Sequence, residues 1–201
     1  MTAPVQTDGV KWKAHAKVSK FTAEQERIAL EVAAREGIPI HEALLRDHTP
    51  YEVTEEEGNL LTRLGLHRMW DRFIGTASNQ ALDATHTRIG VGDGVTAAAT
   101  TDTDLSAAAG STHRWFQLVG SVATIGAGAS SGVLTVVATF ATGDGNFAWN
   151  EWGIDGGTAS SNTVTADTNT TPGLINHKVP STLGTKTSAA TWVFTVTITL
   201  A

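Results

Sequence analysis

The chain has 201 residues, 41% of them hydrophobic and 17% charged, which is enough for one sizeable core and too little for several enzyme domains. It contains no cysteine, so disulfide scaffolds, thiolate metal sites and thiol chemistry are excluded. The net charge of -6 disfavours binding nucleic acid through bulk charge, and no sequence-specific nucleic-acid partner is expected. No signal peptide is visible at the N-terminus. The longest uncharged run, Trp115 to Gly143, is too rich in Gly, Ser and Thr to be a membrane span.

The composition changes near Gly75. Residues 1–75 hold 22 charged residues, whereas the 126 residues that follow hold 12 and carry 25 Thr. Helices favour the first composition, and β-branched Thr favours strands. The expectation is a mainly β protein, with an extended basic arm over 1–21, a helical region over 22–75 and an antiparallel β-sandwich of jelly-roll or Ig-like type over 76–201.

In chain order, Lys11, Trp12, Lys13, Lys17 and Lys20 mark the arm as a candidate partner-binding segment. Thr22 and Gln25 have capping-box spacing for a helix that stops at Gly37. Ile40, Ala43 and Leu44 indicate a second, short helix. Thr54 and Glu57 have the same capping spacing, and Leu60, Leu61, Leu64, Met69, Trp70, Phe73 and Ile74 recur at helical intervals. That spacing predicts a long helix whose large apolar face must pack on something, weakened at Gly65.

Beyond Gly75 the pattern is one of strands: Thr87–Val91, His113–Val122, Val133–Thr142, Phe147–Ile154, Leu174–Val179 and Thr191–Leu200. In the last, Trp192, Phe194, Val196, Ile198 and Leu200 alternate with Thr. The turn Gly143-Asp144-Gly145-Asn146 predicts a hairpin between its flanking strands. Asp155–Pro172 reads as a long loop.

No catalytic constellation stands out. Ile89-Gly90-Val91-Gly92-Asp93-Gly94 lacks phosphate-loop spacing and reads as a turn. Asp93, Asp102 and Asp104 offer a weak calcium option, turn and cap roles being commoner for Asp; no cofactor is expected. The seven histidines show no metal spacing, and a glycosidase-like carboxylate pair, Glu151 with Asp155 for example, needs only spatial closeness. Phe147, Trp149 and Trp152 read as core or interface aromatics, with a sugar-binding platform as the alternative.

Several of these stretches resemble a family of tailed-bacteriophage virion structural proteins. The likeness covers roughly residues 51–201. It is carried by Tyr51–Leu61, by Ile89–Gly94 leading to Thr103-Asp104-Leu105, and by Ala138-Thr139-Phe140 leading to Asn146–Ile154. Leu174–Val179 and Leu183-Gly184-Thr185-Lys186 complete it. The resemblance implies a non-enzymatic protein of the virion. The leading expectation is a capsid decoration or minor capsid protein that oligomerises and holds the major capsid protein, or another virion protein, through its arm. A tail, collar or fibre component is the alternative, and a carbohydrate-binding module the second.

Overall fold

The computed structural model describes residues 12–75, 82–124, 132–157, 160–164 and 173–200. Its elements are β1 (Trp12–Thr22), α1 (Ala23–Glu36), α2 (Ile40–Asp47), β2 (Glu52–Glu57), β3 (Leu60–Leu61), α3 (Arg63–Phe73), β4 (Thr87–Gly92), β5 (Arg114–Thr124), β6 (Val133–Phe140), β7 (Ala148–Trp149), β8 (Glu151–Gly156), β9 (Asn176–His177), β10 (Gly184–Thr185) and β11 (Ala190–Leu200).

The protein is mainly β. Its principal sheet has seven antiparallel strands in the order β2-β1-β11-β6-β5-β4-β8, with two-stranded ladders β10-β7 and β3-β9 beside it. The sheet curls until its edges meet. Bridges Trp152↔Lys178 and Asp155↔Leu174 continue it past β8, β9 then pairs with β3, and β3 follows β2 directly in the chain. Across this seam Trp152 Nε1 donates to Glu56 Oε1 at 2.5 Å. The two large facing sheets expected of a sandwich are not found among the described residues.

Two further expectations are corrected. The basic stretch is an inner strand: β1 pairs with β11 along its whole length and with β2 on its other side. Ala14, Ala16 and Val18 alternate into the core, and the intervening lysines disguise a period-2 pattern. Residues 52–57, expected to open a helix, form β2, where Glu55 faces Lys17 and Glu52 faces Lys20. Opposite charges directly across an antiparallel pair favour that register. The first 57 residues therefore supply two strands of the main sheet, and the expected division into arm, helical region and β domain does not hold.

α1 and α2 form where expected. Gln25 N–H donates to Thr22 Oγ1 at 3.2 Å, the Gln25 side chain accepts from Thr22 N–H, and Gly37 closes α1 at φ 68°. Their Ala29, Ala43 and Leu44 cover Phe21, Val137 and Val193 on the outer face of the sheet. α3 starts only at Arg63, behind Thr62, whose Oγ1 accepts from Gly65 N–H at 3.0 Å. The expected apolar face is divided: Leu61 packs on the core and Met69 lines a cavity, while Leu66, Trp70 and Ile74, four residues apart, are 44%, 59% and 73% exposed and Arg68 and Asp71 are buried. Gly65 belongs to the packing, because a side chain there would strike the Ile175 carbonyl.

The interior is aromatic. Trp149 lies 4.6 Å from Phe140, 4.7 Å from Trp192 and 5.8 Å from Phe194, centroid to centroid, and Trp152 lies 5.5 Å from Phe194. Small Ala14, Ala16 and Ala138 make room for these rings on neighbouring strands. The predicted hairpin around Gly143–Asn146 is absent: β6 is already paired on both sides by β11 and β5, so β7 pairs with β10 instead.

Candidate functional site

β4 and β8 lie side by side, with Ile89, Val91, Trp152 and Ile154 facing the core. The alternate residues, Arg88, Gly90, Gly92, Glu151, Gly153 and Asp155, face outward, beneath the loop from Asp93 to Ala107 and the segment 173–178. The chain changes phase at Asn150, so Trp149 and Trp152 both point inward and Glu151 points away from them, contrary to the single continuous strand expected. Phe147, Trp149 and Trp152 are all buried, the last two completely. They offer no exposed platform to a sugar.

Under the loops sits a chain of ionisable groups. Glu151, fully buried, accepts from Ser106 N–H and Ser106 Oγ at 2.8 Å each, from Ala107 N–H at 2.7 Å and from His177 Nε2 at 2.9 Å. The other nitrogen, His177 Nδ1, lies 2.7 Å from Asp102 Oδ2, which also accepts from Ala99 N–H. Burial pushes the Glu151 carboxyl up, but the hydrogen bonds from His177, Ser106 and Ala107 outweigh it and hold the group below the usual carboxylate range. Burial likewise favours neutral His177, but its bonds to Glu151 and Asp102 raise it above the ordinary imidazole value. Both ring nitrogens thus lie within hydrogen-bond distance of a carboxylate, a setting that favours the protonated ring.

That arrangement ties the loop from Asp93 to Ala107 to β8 and β9. A histidine acting as a general base needs one nitrogen free to accept a proton, and both His177 nitrogens are held by carboxylates. Ser106 Oγ donates to Glu151, so it is not an activated nucleophile either. Glu151 and Asp155 do not form a glycosidase pair: both are fully buried, and Asp155 is ion-paired with Arg88.

The three aspartates considered for calcium each hold a cationic or imidazole partner of their own. Asp93 meets His113 at 2.7 Å, Asp102 meets His177, and Asp104 meets Arg114 at 2.9 Å. No cluster of ligands suited to a metal occurs among the described residues. Sequence reasoning missed this construction because the partners come from β5, β8 and β9. One signal was available in the glycines: a Cβ on Gly92 or Gly94 would lie 2.5 Å from Glu151 Oε1. The glycine-rich stretch admits a buried carboxylate where a nucleotide loop would admit a phosphate.

Two of the basic residues, Lys17 and Lys20, pair with carboxylates of β2. Lys20 is 5% exposed, donates to Glu52 at 2.6 Å and lies over the Trp192 ring at 4.5 Å. Lys17 pairs with Glu55 at 3.4 Å, Trp12 Nε1 donates to Asn59 Oδ1 at 2.6 Å, and Lys13 is exposed opposite Thr199. Lys11 lies outside the described residues. At one end of the curled sheet a cavity of about 280 Å³ is lined by apolar side chains including Trp12, Met69, Ile154, Ile175 and Leu200. It lacks the placed polar groups that orient a specific ligand.

No family model, curated protein or solved structure matches this chain. No helix among the described residues is long and apolar enough to cross a membrane.

Proposed function

We propose that this chain is a non-enzymatic structural subunit of a tailed-bacteriophage virion, packed against the major capsid protein or another virion protein and against copies of itself. The observation that carries the reading is the exposed apolar side of α3 and the turn after it, where Leu66, Trp70 and Ile74 face solvent while Arg68 and Asp71 are buried. Exposed apolar surface of this kind is stabilised by a protein neighbour. The interlocked state of Glu151, His177 and Asp102 supports a mechanical role, since its charged groups are spent on holding loops in place. The resemblance of residues 51–201 to phage virion proteins supplies the setting. With residues 12–22 built into the sheet, contact through α3 replaces the tether first expected of the basic stretch.

Two measurements test the proposal. Locating the chain in an electron-microscopy map of intact particles distinguishes a capsid decoration from a tail, collar or fibre component. Finding it in no particle refutes the proposal. Leu66→Ser with Ile74→Ser is expected to reduce incorporation without lowering the melting temperature, and unchanged incorporation removes α3 as the contact.

A further inference from the structure

The interior of the curled sheet is filled unevenly. On β6 and β11, Phe140 and Trp192 pair at one end and join Trp149 in the aromatic cluster. At the opposite end of the same strands Leu134 pairs with Ile198, and beside them lies the cavity of about 280 Å³. Ile154, Ile175 and Ile198 line it as buried residues and form its floor. Trp12 and Leu200, facing each other across β1 and β11, stand at its rim, with Leu200 37% exposed. Met69 of α3 adds to the wall.

The hydrogen-bonding groups of the lining are spent elsewhere. Trp12 Nε1 donates to Asn59 Oδ1 at 2.6 Å, and Gly132 O accepts from Leu200 N–H at 2.9 Å. Ile154 N–H donates to Asn176 Oδ1 at 2.8 Å, and Ile175 O accepts from Thr62 N–H at 3.0 Å. A buried water needs about two to four polar partners, so a cavity of this kind stays dry. A small void is ordinary imperfection, but interiors as dense as organic crystals leave few spaces larger than one water molecule. At about 280 Å³ this space is nearly twice the roughly 150 Å³ that admits benzene. Its floor is buried while its rim reaches the surface, which gives a ligand a way in.

We propose that this cavity binds the straight alkyl chain of a small amphiphile, a fatty acid or its like, whose polar end stays in water at the rim beside Trp12 and Leu200. Scaling the benzene volume, the enclosed part of the chain has about ten carbons. No polar side chain of the lining fixes the head, so the site selects by chain length and apolarity. The driving force is apolar surface removed from water, on the ligand and on the cavity walls together. A bound chain touches α3 through Met69, β8 through Ile154, and β6 and β11 through Leu134 and Ile198. It therefore completes the packing at the aliphatic end of the sheet, as the rings do at the other.

The test is calorimetric titration of the full chain with straight-chain carboxylates from butanoate to tetradecanoate, each below its micellar concentration. Every added methylene should tighten binding about fourfold up to about ten carbons, and no further. Decanoate should also raise the melting temperature. Leu134→Trp fills the cavity from β6 and Ile198→Phe fills it from β11; whichever variant melts cooperatively should lose decanoate binding. Leu66→Ser with Ile74→Ser, on the exposed side of α3 and the turn after it, should bind decanoate as the native chain does. Absence of saturable binding across the series overturns the proposal. Affinity that climbs without a break to tetradecanoate overturns it too, because that marks partition onto an open apolar surface. So does a folded filling variant that binds as tightly as native, or loss of binding in the Leu66, Ile74 variant, which places the ligand on α3 instead.

Discussion

Glu151→Gln changes almost no volume and removes one charge from the centre of the loop lock. In the native protein Oε2 accepts from Ser106 N–H, Ser106 Oγ and His177, and Oε1 accepts from Ala107 N–H. A carboxamide keeps one acceptor oxygen. If that oxygen takes the Oε2 position, its NH2 group faces the Ala107 N–H, donor against donor, and His177 keeps only Asp102 as an anion. Removing one partner of a buried ion pair costs about 3–5 kcal/mol, a large part of the roughly 5–15 kcal/mol that stabilises a domain. At about 2–4 °C per kcal/mol for a chain of this size, the melting temperature should fall by roughly 6–20 °C. The dependence on pH sharpens the test. His177 is raised, so its stabilisation is complete below its unfolded value and is lost as pH rises through its higher folded value. Glu151 is lowered, so its stabilisation is present above its unfolded value and is lost as pH falls through its folded one. Native protein should therefore be most stable between those two limits, and Glu151→Gln should move the alkaline loss to lower pH. Thermal melts across the pH range measure both effects. A cost below about 1 kcal/mol with an unmoved alkaline limb would refute the lock.

Other perturbations probe the remaining parts. Arg88→Met removes the guanidinium ion-paired with fully buried Asp155 and should cost about 3–5 kcal/mol by urea titration, whereas Arg88→Met with Asp155→Leu should recover part of that loss. Trp149→Ala removes the ring at the centre of the aromatic cluster, with an expected cost of about 3–5 kcal/mol by the same titration. Gly92→Ala sets a methyl against Glu151 and Ala107 and should cost about 1–3 kcal/mol, measured as a lowered denaturant midpoint. A chain starting at residue 23 lacks the strand between β2 and β11 and should show no cooperative melt; a native-like melt would contradict the sheet order.

What was legible from the sequence alone was local. Alternation in Thr191–Leu200 and Val133–Thr142 marked β11 and β6, because Phe140, Trp192, Phe194, Val196 and Ile198 meet the aromatic interior while Thr195, Thr197 and Thr199 stay half-buried. The Thr22–Gln25 box and Gly37 marked both ends of α1, because a cap is settled within one turn of chain. Where a segment's fate depended on distant partners, the local signals misled. Lys13, Lys17 and Lys20 hid a strand, since their charges are answered by β2 or left at the surface while Ala14, Ala16 and Val18 do the packing. Thr54 and Glu57 have the spacing of a cap, yet pairing with β1 outweighs helix initiation there.

The lock under the loops belongs wholly to the tertiary structure. Asp102, Ser106, Glu151 and His177 are separated by as many as 75 positions, and nothing in their spacing announces contact. Composition and periodicity were sufficient to determine that this chain folds as a mainly β protein carrying α1 and α2, because burial of apolar surface follows local alternation. Which charges neutralise one another, which glycines admit a carboxylate and which helix keeps its apolar side outward was decided only when the curled sheet brought β2, β8 and β9 together. Electrostatic pairing and close packing depend on distance in space, which the order of residues does not specify.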